Sequence, residues 1–153
     1  MTDLKSAVPV LATFQDIPAI ASLEAVYYAS EGYPAGFLYQ ALAQWPQGLW
    51  VVKTAQEVIG YALVTPAQHA GEYWLMAALV SSQARGQGLG EKLCERSIHS
   101  CKESGGKALW LSVAPDNITA IKLYRKLGFI EEGLQDDFLG PGEHRILMRC
   151  PLV

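Results

Sequence analysis

The chain has 153 residues, half of them apolar, and its twelve basic and fifteen acidic side chains leave a formal charge of −3. That length suits a single domain with a substantial core, and a weakly negative chain without a basic stripe argues against a nucleic-acid partner. No span approaches the roughly 20 uninterrupted apolar residues of a membrane helix, and the amino terminus, MTDLKS, lacks the basic and apolar regions of a signal peptide, so the expected location is the cytoplasm, away from any membrane.

The three cysteines, Cys94, Cys101 and Cys150, form neither a CxxC nor a zinc-ligand spacing with the histidines. They read as free thiols, and no metal is expected. No internal repeat, low-complexity tract or linker marks a second domain.

In chain order, residues 8–13 suggest a short strand. Asp16, Ile17 and Pro18 then suit a helix start, with Asp16 as N-cap and Pro18 just inside. Ile17, Ile20 and Leu23 form one apolar face, with Ala21 and Glu24 placed off it. The pattern breaks at residues 32–34, and a second helix is expected over 36–44. Tyr27, Tyr28, Tyr33, Tyr39 and Trp45 concentrate in this region. They are expected chiefly as packing residues, with the wall of a substrate pocket as the functional alternative.

Residues 49–53 and 58–64 are β-rich runs joined by a polar segment at 54–57, and a loop at 66–71 leads to a third run, 72–80. These read as an antiparallel meander. The third run ends in LVSSQARGQGLGEKL, residues 79–93, where Ser81 and Ser82 stop the strand, Gly86, Gly88 and Gly90 follow, and an amphipathic helix begins. Its apolar face carries Leu93, Cys94, Ile98 and Cys101, and Gly105 and Gly106 end it. Glycines just before a helix leave backbone N–H groups uncovered by Cβ atoms, and with the positive end of the helix dipole they suit a phosphate or pyrophosphate. Arg85 can add a charge-assisted contact. The spacing excludes a P-loop, because Glu91 and Lys92 follow the last glycine where Lys-Ser/Thr is required. It also excludes the dinucleotide fingerprint, since either reading puts Glu91 or Leu93 at the third glycine. On the glycines alone, a turn that merely reverses the chain stays open.

Residues 108–113, ALWLSV, form a compact buried-type strand. Strand, helix, strand implies a right-handed crossover, which makes this strand parallel to the one ending at Val80. Pro115, Asp116 and Asn117 lead into a helix over 118–127 closed by Gly128. Residues 129–132 and 145–150 complete the strands, joined by a loop at 133–144.

Two stretches, LVSSQARGQGLGEKL and NITAIKLYRKLGF, together resemble the GNAT superfamily of acyl-CoA-dependent N-acyltransferases. Arg85, Gly88 and Gly90 match its Arg/Gln-x-x-Gly-x-Gly/Ala motif. Asn117, Ala120, Leu123, Tyr124, Gly128 and Phe129 match its Asn-x-x-Ala-x-x-Leu-Tyr-x-x-x-Gly-Phe signature, in the family's order and separation. The specific motifs cover the second half of the chain, whereas the expected elements follow the family topology throughout. The resemblance implies an α/β (α+β) fold with a mixed central sheet of about seven strands, a splayed parallel pair and about four helices. It also implies acetyl-CoA as co-substrate. The pyrophosphate would sit on Gly86, Gln87, Gly88, Leu89, Gly90 and Glu91, next to Arg85. Ala78, Leu79 and Val80 would offer backbone bonds to the pantetheine, Asn117 would contact the cofactor, and the Tyr124 hydroxyl would approach its sulfur. Asn117 and Tyr124, seven apart on a helix, lie ~10 Å apart along one face.

Acetyl transfer to an amine needs a neutral nucleophile, an oxyanion donor and a proton for the departing thiolate. A backbone N–H near Leu79 or Val80 meets the second need. Tyr124, a phenol protonated at neutral pH, meets the third, although position alone equally fits a packed aromatic. The base is where this chain departs from its relatives. Ser112 stands where members similar to the ribosomal-protein alanine acetyltransferases (RimI-like) often have Glu or His. Glu72, at the far end of the preceding strand, is the candidate base, with solvation at a strand start as its bland alternative. His69 and His144 in loops are weaker candidates, His99 should be exposed on a helix, and a water chain or an already neutral amine would need none of them.

DDFLGPGEHRILM, residues 136–148, resembles the acidic and aromatic segment before the last strand of protein N-terminal acetyltransferases. Asp136, Asp137 and Glu143 could attract a protonated amine, so the acceptor is a peptide amino terminus or a small-molecule amine. The alternatives are a CoA-binding module without turnover and a cysteine-dependent acyl carrier or hydrolase using Cys94 or Cys101. The aromatic and apolar content leaves a homodimer open.

Overall fold

The structure is a computed structural model that describes residues 4–55 and 57–153. Met1 to Asp3 of the MTDLKS stretch and Gln56 of the segment 54–57 lie outside the described residues. The elements run β1 (Val10–Leu11), α1 (Ile17–Tyr28), α2 (Ala35–Gln44), β2 (Leu49–Lys53), β3 (Val58–Pro66), β4 (Glu72–Val80), α3 (Leu89–Glu103), β5 (Ala108–Val113), α4 (Ile118–Lys126), β6 (Ile130–Gln135) and β7 (Arg145–Pro151). The strands form one mixed sheet in the order β1-β2-β3-β4-β5-β7-β6. Its parallel pair is β4 with β5, as the crossover rule requires. The parallel ladder joins Glu72 to Ala108, Tyr73 to Leu109 and Trp74 to Trp110, then stops, although β4 continues to Val80.

The chain packs as two compact units. The first comprises the residues up to Val64 together with Ala77–Ser97, and the second comprises Thr65–Met76 with Ile98–Val153.

In the first unit, Ile17, Ile20 and Leu23 of α1 and Leu38, Ala41 and Leu42 of α2 pack with Leu49, Val51, Tyr61, Leu63 and Leu79. Strand β3 is buried along most of its length, which explains its unbroken apolar run. The first strand covers only Val10–Leu11 rather than 8–13. Pro9 has no N–H to give a ladder, and Thr13 instead enters the cap of a 3-10 turn at Phe14–Asp16. Asp16 stands at the N-cap of α1 with Pro18 just inside, as expected, but its side chain makes no cap hydrogen bond to that helix. Its carboxylate turns back to accept from the Thr13 N–H at 2.8 Å and to pair with Lys53 Nζ at 3.2 Å.

Glu24 is the larger correction. Expected off the apolar face, it is 3% exposed, because position 24 continues the stripe of 17 and 20 at helical spacing. Burial is tolerated because both carboxylate oxygens are satisfied, Oε2 by the Tyr61 hydroxyl at 2.8 Å and Oε1 by the Tyr33 N–H at 2.9 Å. Burial and the neighbouring carboxylate push the Tyr61 phenol strongly up, so it stays a donor. One carboxylate thereby joins α1, β3 and the segment leading into α2.

In the second unit, β7 pairs antiparallel with β5 on one side and β6 on the other. Leu109, Leu111, Val113, Met148 and Cys150 are buried. Strand β6 runs Ile130–Gln135, longer than the expected 129–132, since pairing to β7 carries it past a bulge at Glu131/Gly133. Its charged residues read as loop because every one of them is exposed. Asn117 caps α4, its Oδ1 accepting from the Ala120 N–H at 3.2 Å, and Gly128 ends the helix at φ +106°.

Glu24→Leu should destabilise the protein by about 2–4 kcal/mol in urea unfolding, because it strands the Tyr61 hydroxyl and the Tyr33 N–H without an acceptor. Glu24→Gln, which keeps one carbonyl acceptor, should lose about half as much. Equal midpoints for wild type and Glu24→Leu would show that the carboxylate contributes nothing net.

Candidate active site

At the end of β4 the Ser81 N–H donates to the Ile59 carbonyl at 2.8 Å, and a 3-10 turn, Ser82–Ala84, follows. That turn is invisible in the sequence. Ala84 and Leu89 are both 1% exposed and anchor the two ends of the glycine segment. Between them Gly86 and Gly88 adopt φ of +80° and +79°, and a Cβ on either would meet nothing within 4 Å. These two positions need glycine for the backbone and leave the space above it open. Helix α3 begins at Leu89, so the amides of Leu89, Gly90 and Glu91 have no acceptor within the helix. The segment is therefore an open seat lined with N–H donors at a helix N-terminus, which fits a pyrophosphate. Gln87, Gly90 and Glu91 are half-buried beside it, as are Ala78 and Val80 of β4, whereas Leu79 is buried.

Arg85 enters this seat from an exposed position. Its Nε–H donates to the Val80 carbonyl at 3.2 Å, and its guanidinium lies 4.9 Å from the centre of the Tyr27 ring. The Tyr27 hydroxyl in turn accepts from the Ser82 N–H. Hydrogen bonding from Ser82 holds the Tyr27 phenol below its ordinary range against the opposing effect of burial, and the Arg85 charge adds to the lowering. Tyr27 stood in the sequence only as one of five clustered aromatics. Nothing local to residues 27 and 28 pointed to a partner 55 residues away.

In the second unit Tyr124 lies on α4, half-buried, its ring edge-on to Phe129 at 5.7 Å. Asn117, at the start of the same helix, is exposed and uses Oδ1 for the cap; its NH2 group is a donor. Ser112 is half-buried on β5 opposite Leu147 of β7. Glu72 starts β4, and its Oε1 accepts from the Trp110 indole N–H at 3.2 Å. Glu72 faces Ala108 in the ladder, so Ser112 lies four residues farther along β5, roughly 13 Å on at the strand rise. Trp74 stacks against both Trp110 and Phe138, at 6.0 and 5.8 Å.

The histidines have other engagements. His99 pairs with Glu103 at 2.9 Å on the exposed side of α3, and His69 is exposed in the loop before β4. His144 Nδ1 accepts from the Asp137 N–H at 3.0 Å and lies 3.4 Å from Asp136 Oδ1. The acidic loop is structured by its own carboxylates. Asp137 Oδ1 accepts from the Gly142 N–H at 2.7 Å, and Glu143 pairs with Arg145 at 3.1 Å.

All three cysteines are buried and unpaired. Burial pushes the Cys94 and Cys101 thiols up to about 12, which leaves almost no thiolate at neutral pH. Among the described residues no group of His, Cys, Asp and Glu could hold a metal ion, and no helix is long and apolar enough to cross a membrane.

Comparison with known proteins adds a family. The model of the Acetyltransferase (GNAT) family matches residues 16–129, a span that contains the glycine turn and all of α4. An N-alpha-acetyltransferase of Sulfolobus acidocaldarius is 28% identical over 153 residues, covering 93% of this chain and 90% of that protein. Another, from Sulfurisphaera tokodaii, is 29% identical over 135 residues, with 80% of each covered. An uncharacterized protein of Mycobacterium leprae is 31% identical over 138 residues, but the chain spans 38% of its length. Among solved structures, Ard1 from Thermoplasma volcanium superimposes with a TM-score of 0.86 at 20% identity, covering 97% of this chain and 99% of that one. The Escherichia coli ribosomal-protein-S18-alanine N-acetyltransferase gives 0.80 at 23%, covering 95% and 94%. The yncA protein of Salmonella typhimurium, in a structure with its cofactor acetyl-CoA, gives 0.79 at 20%, covering 97% and 95%.

The thiol environments generate one test. Iodoacetamide at neutral pH should leave Cys94 and Cys101 unmodified in the native protein and alkylate both after unfolding in urea, as read by mass spectrometry. Rapid native labelling of either would contradict their burial and the high thiol pKa.

Proposed function

The chain belongs to the GNAT family of acetyltransferases, and from that membership we propose that it works as one N-acetyltransferase domain whose acceptor is the α-amino group of a peptide. Its reaction is acetyl-CoA-dependent N-acetylation. The observation that carries the reading is the open glycine turn at the N-terminus of α3, where backbone donors, a helix dipole and an arginine meet. The binding-only alternative finds no support among the relatives named above, which bear enzyme names where they bear a function at all.

The residues divide the work as follows. The amides of Gly86, Gln87, Gly88, Leu89, Gly90 and Glu91 hold the pyrophosphate, and Arg85 supplies charge beside them. Backbone groups of Ala78, Leu79 and Val80 take the pantetheine amides, with the Asn117 amide as a further contact. Bound acetyl-CoA supplies the thioester carbonyl that the amine attacks. An N–H of Leu79 or Val80 stabilises the oxygen as charge develops there. As the new C–N bond forms and the C–S bond breaks, the Tyr124 hydroxyl gives its proton to the departing sulfur, and the second proton shed by the nitrogen as it becomes an amide restores the phenol. Glu72 is the group proposed to draw the proton from the incoming ammonium. It stands at the opposite end of β4 from Leu79 and Val80, roughly 23 Å away at the strand rise, so a proton reaches it only along a chain of waters. Ser112 has no charge to offer this step, which is why the burden falls elsewhere.

Support for a peptide acceptor comes from the two archaeal N-alpha-acetyltransferases, which match most of this chain and most of their own length. The acidic loop agrees with it, since Asp136, Asp137 and Glu143 lie exposed before β7 and would attract a protonated amino terminus.

CoA release from acetyl-CoA, followed with a thiol reagent across peptides, polyamines, amino acids and aminoglycosides, tests the acceptor. Peptides with a free α-amine should stimulate release and emerge acetylated on that nitrogen, and Nα-blocked peptides should not. Preference for a small amine would replace the peptide assignment. Tyr124→Phe should lower kcat by about 10²-fold with CoA affinity unchanged; an unaltered kcat would remove Tyr124 as the acid.

A further inference from the structure

The glycine turn is attached to the protein at few points. Gly86 and Gly88 touch nothing where a side chain would stand, and the buried anchors are Ala84 on one side and Leu89 on the other. Tyr27, the penultimate residue of α1, adds a tie of another kind. Its hydroxyl accepts the N–H of Ser82, where the 3-10 turn begins, and its ring lies beneath the guanidinium of Arg85, just past where that turn ends. Arg85 closes the circuit through its Nε–H on the Val80 carbonyl. One side chain thus holds both ends of the segment that leads into the anion seat.

The nature of the second contact matters. A carboxylate beside Arg85 would fix the guanidinium but cancel its charge, whereas an aromatic face attracts the cation and leaves the charge whole for an incoming anion. Only the Nε–H of the five guanidinium donors is spent on Val80.

We propose that Tyr27 is the positioning residue of the cofactor turn, its hydroxyl and ring presetting Ser82 and Arg85 for the pyrophosphate of CoA. This rests on the acetyl-CoA reading above and deepens it. Tyr27 itself takes no part in the chemistry, so its effect falls on the pyrophosphate half of the ligand and spares the pantetheine half.

The test measures CoA and pantetheine binding by calorimetry for wild type, Tyr27→Phe and Tyr27→Leu, with the melting temperature of the unliganded protein as the fold control. Tyr27→Phe removes the acceptor for Ser82 and keeps the ring, so CoA should bind about three- to tenfold more weakly. Tyr27→Leu also removes the cation–π contact and should weaken CoA binding by about ten- to fiftyfold. Pantetheine affinity should stay within about twofold in both. In steady state the KM for acetyl-CoA should rise while kcat and the peptide KM hold, a split that general loosening of the fold would not produce. CoA affinity within about twofold of wild type in Tyr27→Phe and Tyr27→Leu would overturn the proposal, and so would equal losses for CoA and pantetheine. If Tyr27→Leu does not fold, Tyr27→Phe decides alone. Wild-type protein that fails to bind CoA would overturn the acetyl-CoA reading and this proposal with it, whereas a binding wild type with unaffected variants overturns Tyr27 only.

Discussion

Backbone donors and acceptors inside a sheet must all find partners, and β4 is where this chain meets that demand in two different ways. Its parallel ladder with β5 has three residue pairs and ends at Trp74–Trp110, six residues before the strand itself ends at Val80. Past that point the partners come from elsewhere. The Val80 carbonyl takes an arginine side chain, and the Ser81 N–H reaches the carbonyl of Ile59. Beyond the last pair with β5, the backbone on that edge of β4 can be offered to a ligand's amides. The helix that follows imposes the complementary condition, because its first amides cannot be satisfied internally. Both consequences of ordinary backbone accounting fall within a dozen residues of each other.

Polar groups inside the first unit tie its helices to the neighbouring strands. Glu24 is a carboxylate in a hydrophobic environment, acceptable only because a phenol and a backbone N–H meet its two oxygens. Asp16 plays a similar part nearer the surface, held by Thr13 on one oxygen and Lys53 on the other. Each fixes a helix against a strand at a defined register, which apolar packing alone specifies less sharply. Tyr27 extends the same logic to the glycine turn, where the amphipathic phenol uses its ring for a cation and its oxygen for an amide.

The second unit shows how far an acidic loop can be from mere solvation. Asp137 and Glu143 carry the charge that suits an ammonium acceptor, and at the same time Asp137 binds the Gly142 amide and Glu143 binds Arg145. A loop that is internally bonded presents its charge in a fixed shape, and substrate choice on a common fold is set by such loops.

The sequence by itself determined whatever depends on neighbours a few residues apart. The glycines at 86, 88 and 90 marked a turn into a helix, Gly128 ended the helix that Asn117 leads into, and the stripe of Ile17, Ile20 and Leu23 marked the buried side of α1. The strand–helix–strand pattern fixed the parallel pair, and the two motifs carried the family. Tertiary structure decided what depends on partners far along the chain. Glu24 is bonded to a tyrosine 37 residues away, Lys53 draws Asp16 across the same separation, and Tyr27 meets Ser82 across 55. Helical periodicity states which face a residue occupies, but a charged residue on that face reads as an error until its partner is placed opposite. The ends of β1 and β6 followed the same rule, since a strand extends as far as its neighbour offers hydrogen bonds, and that neighbour is supplied by the fold.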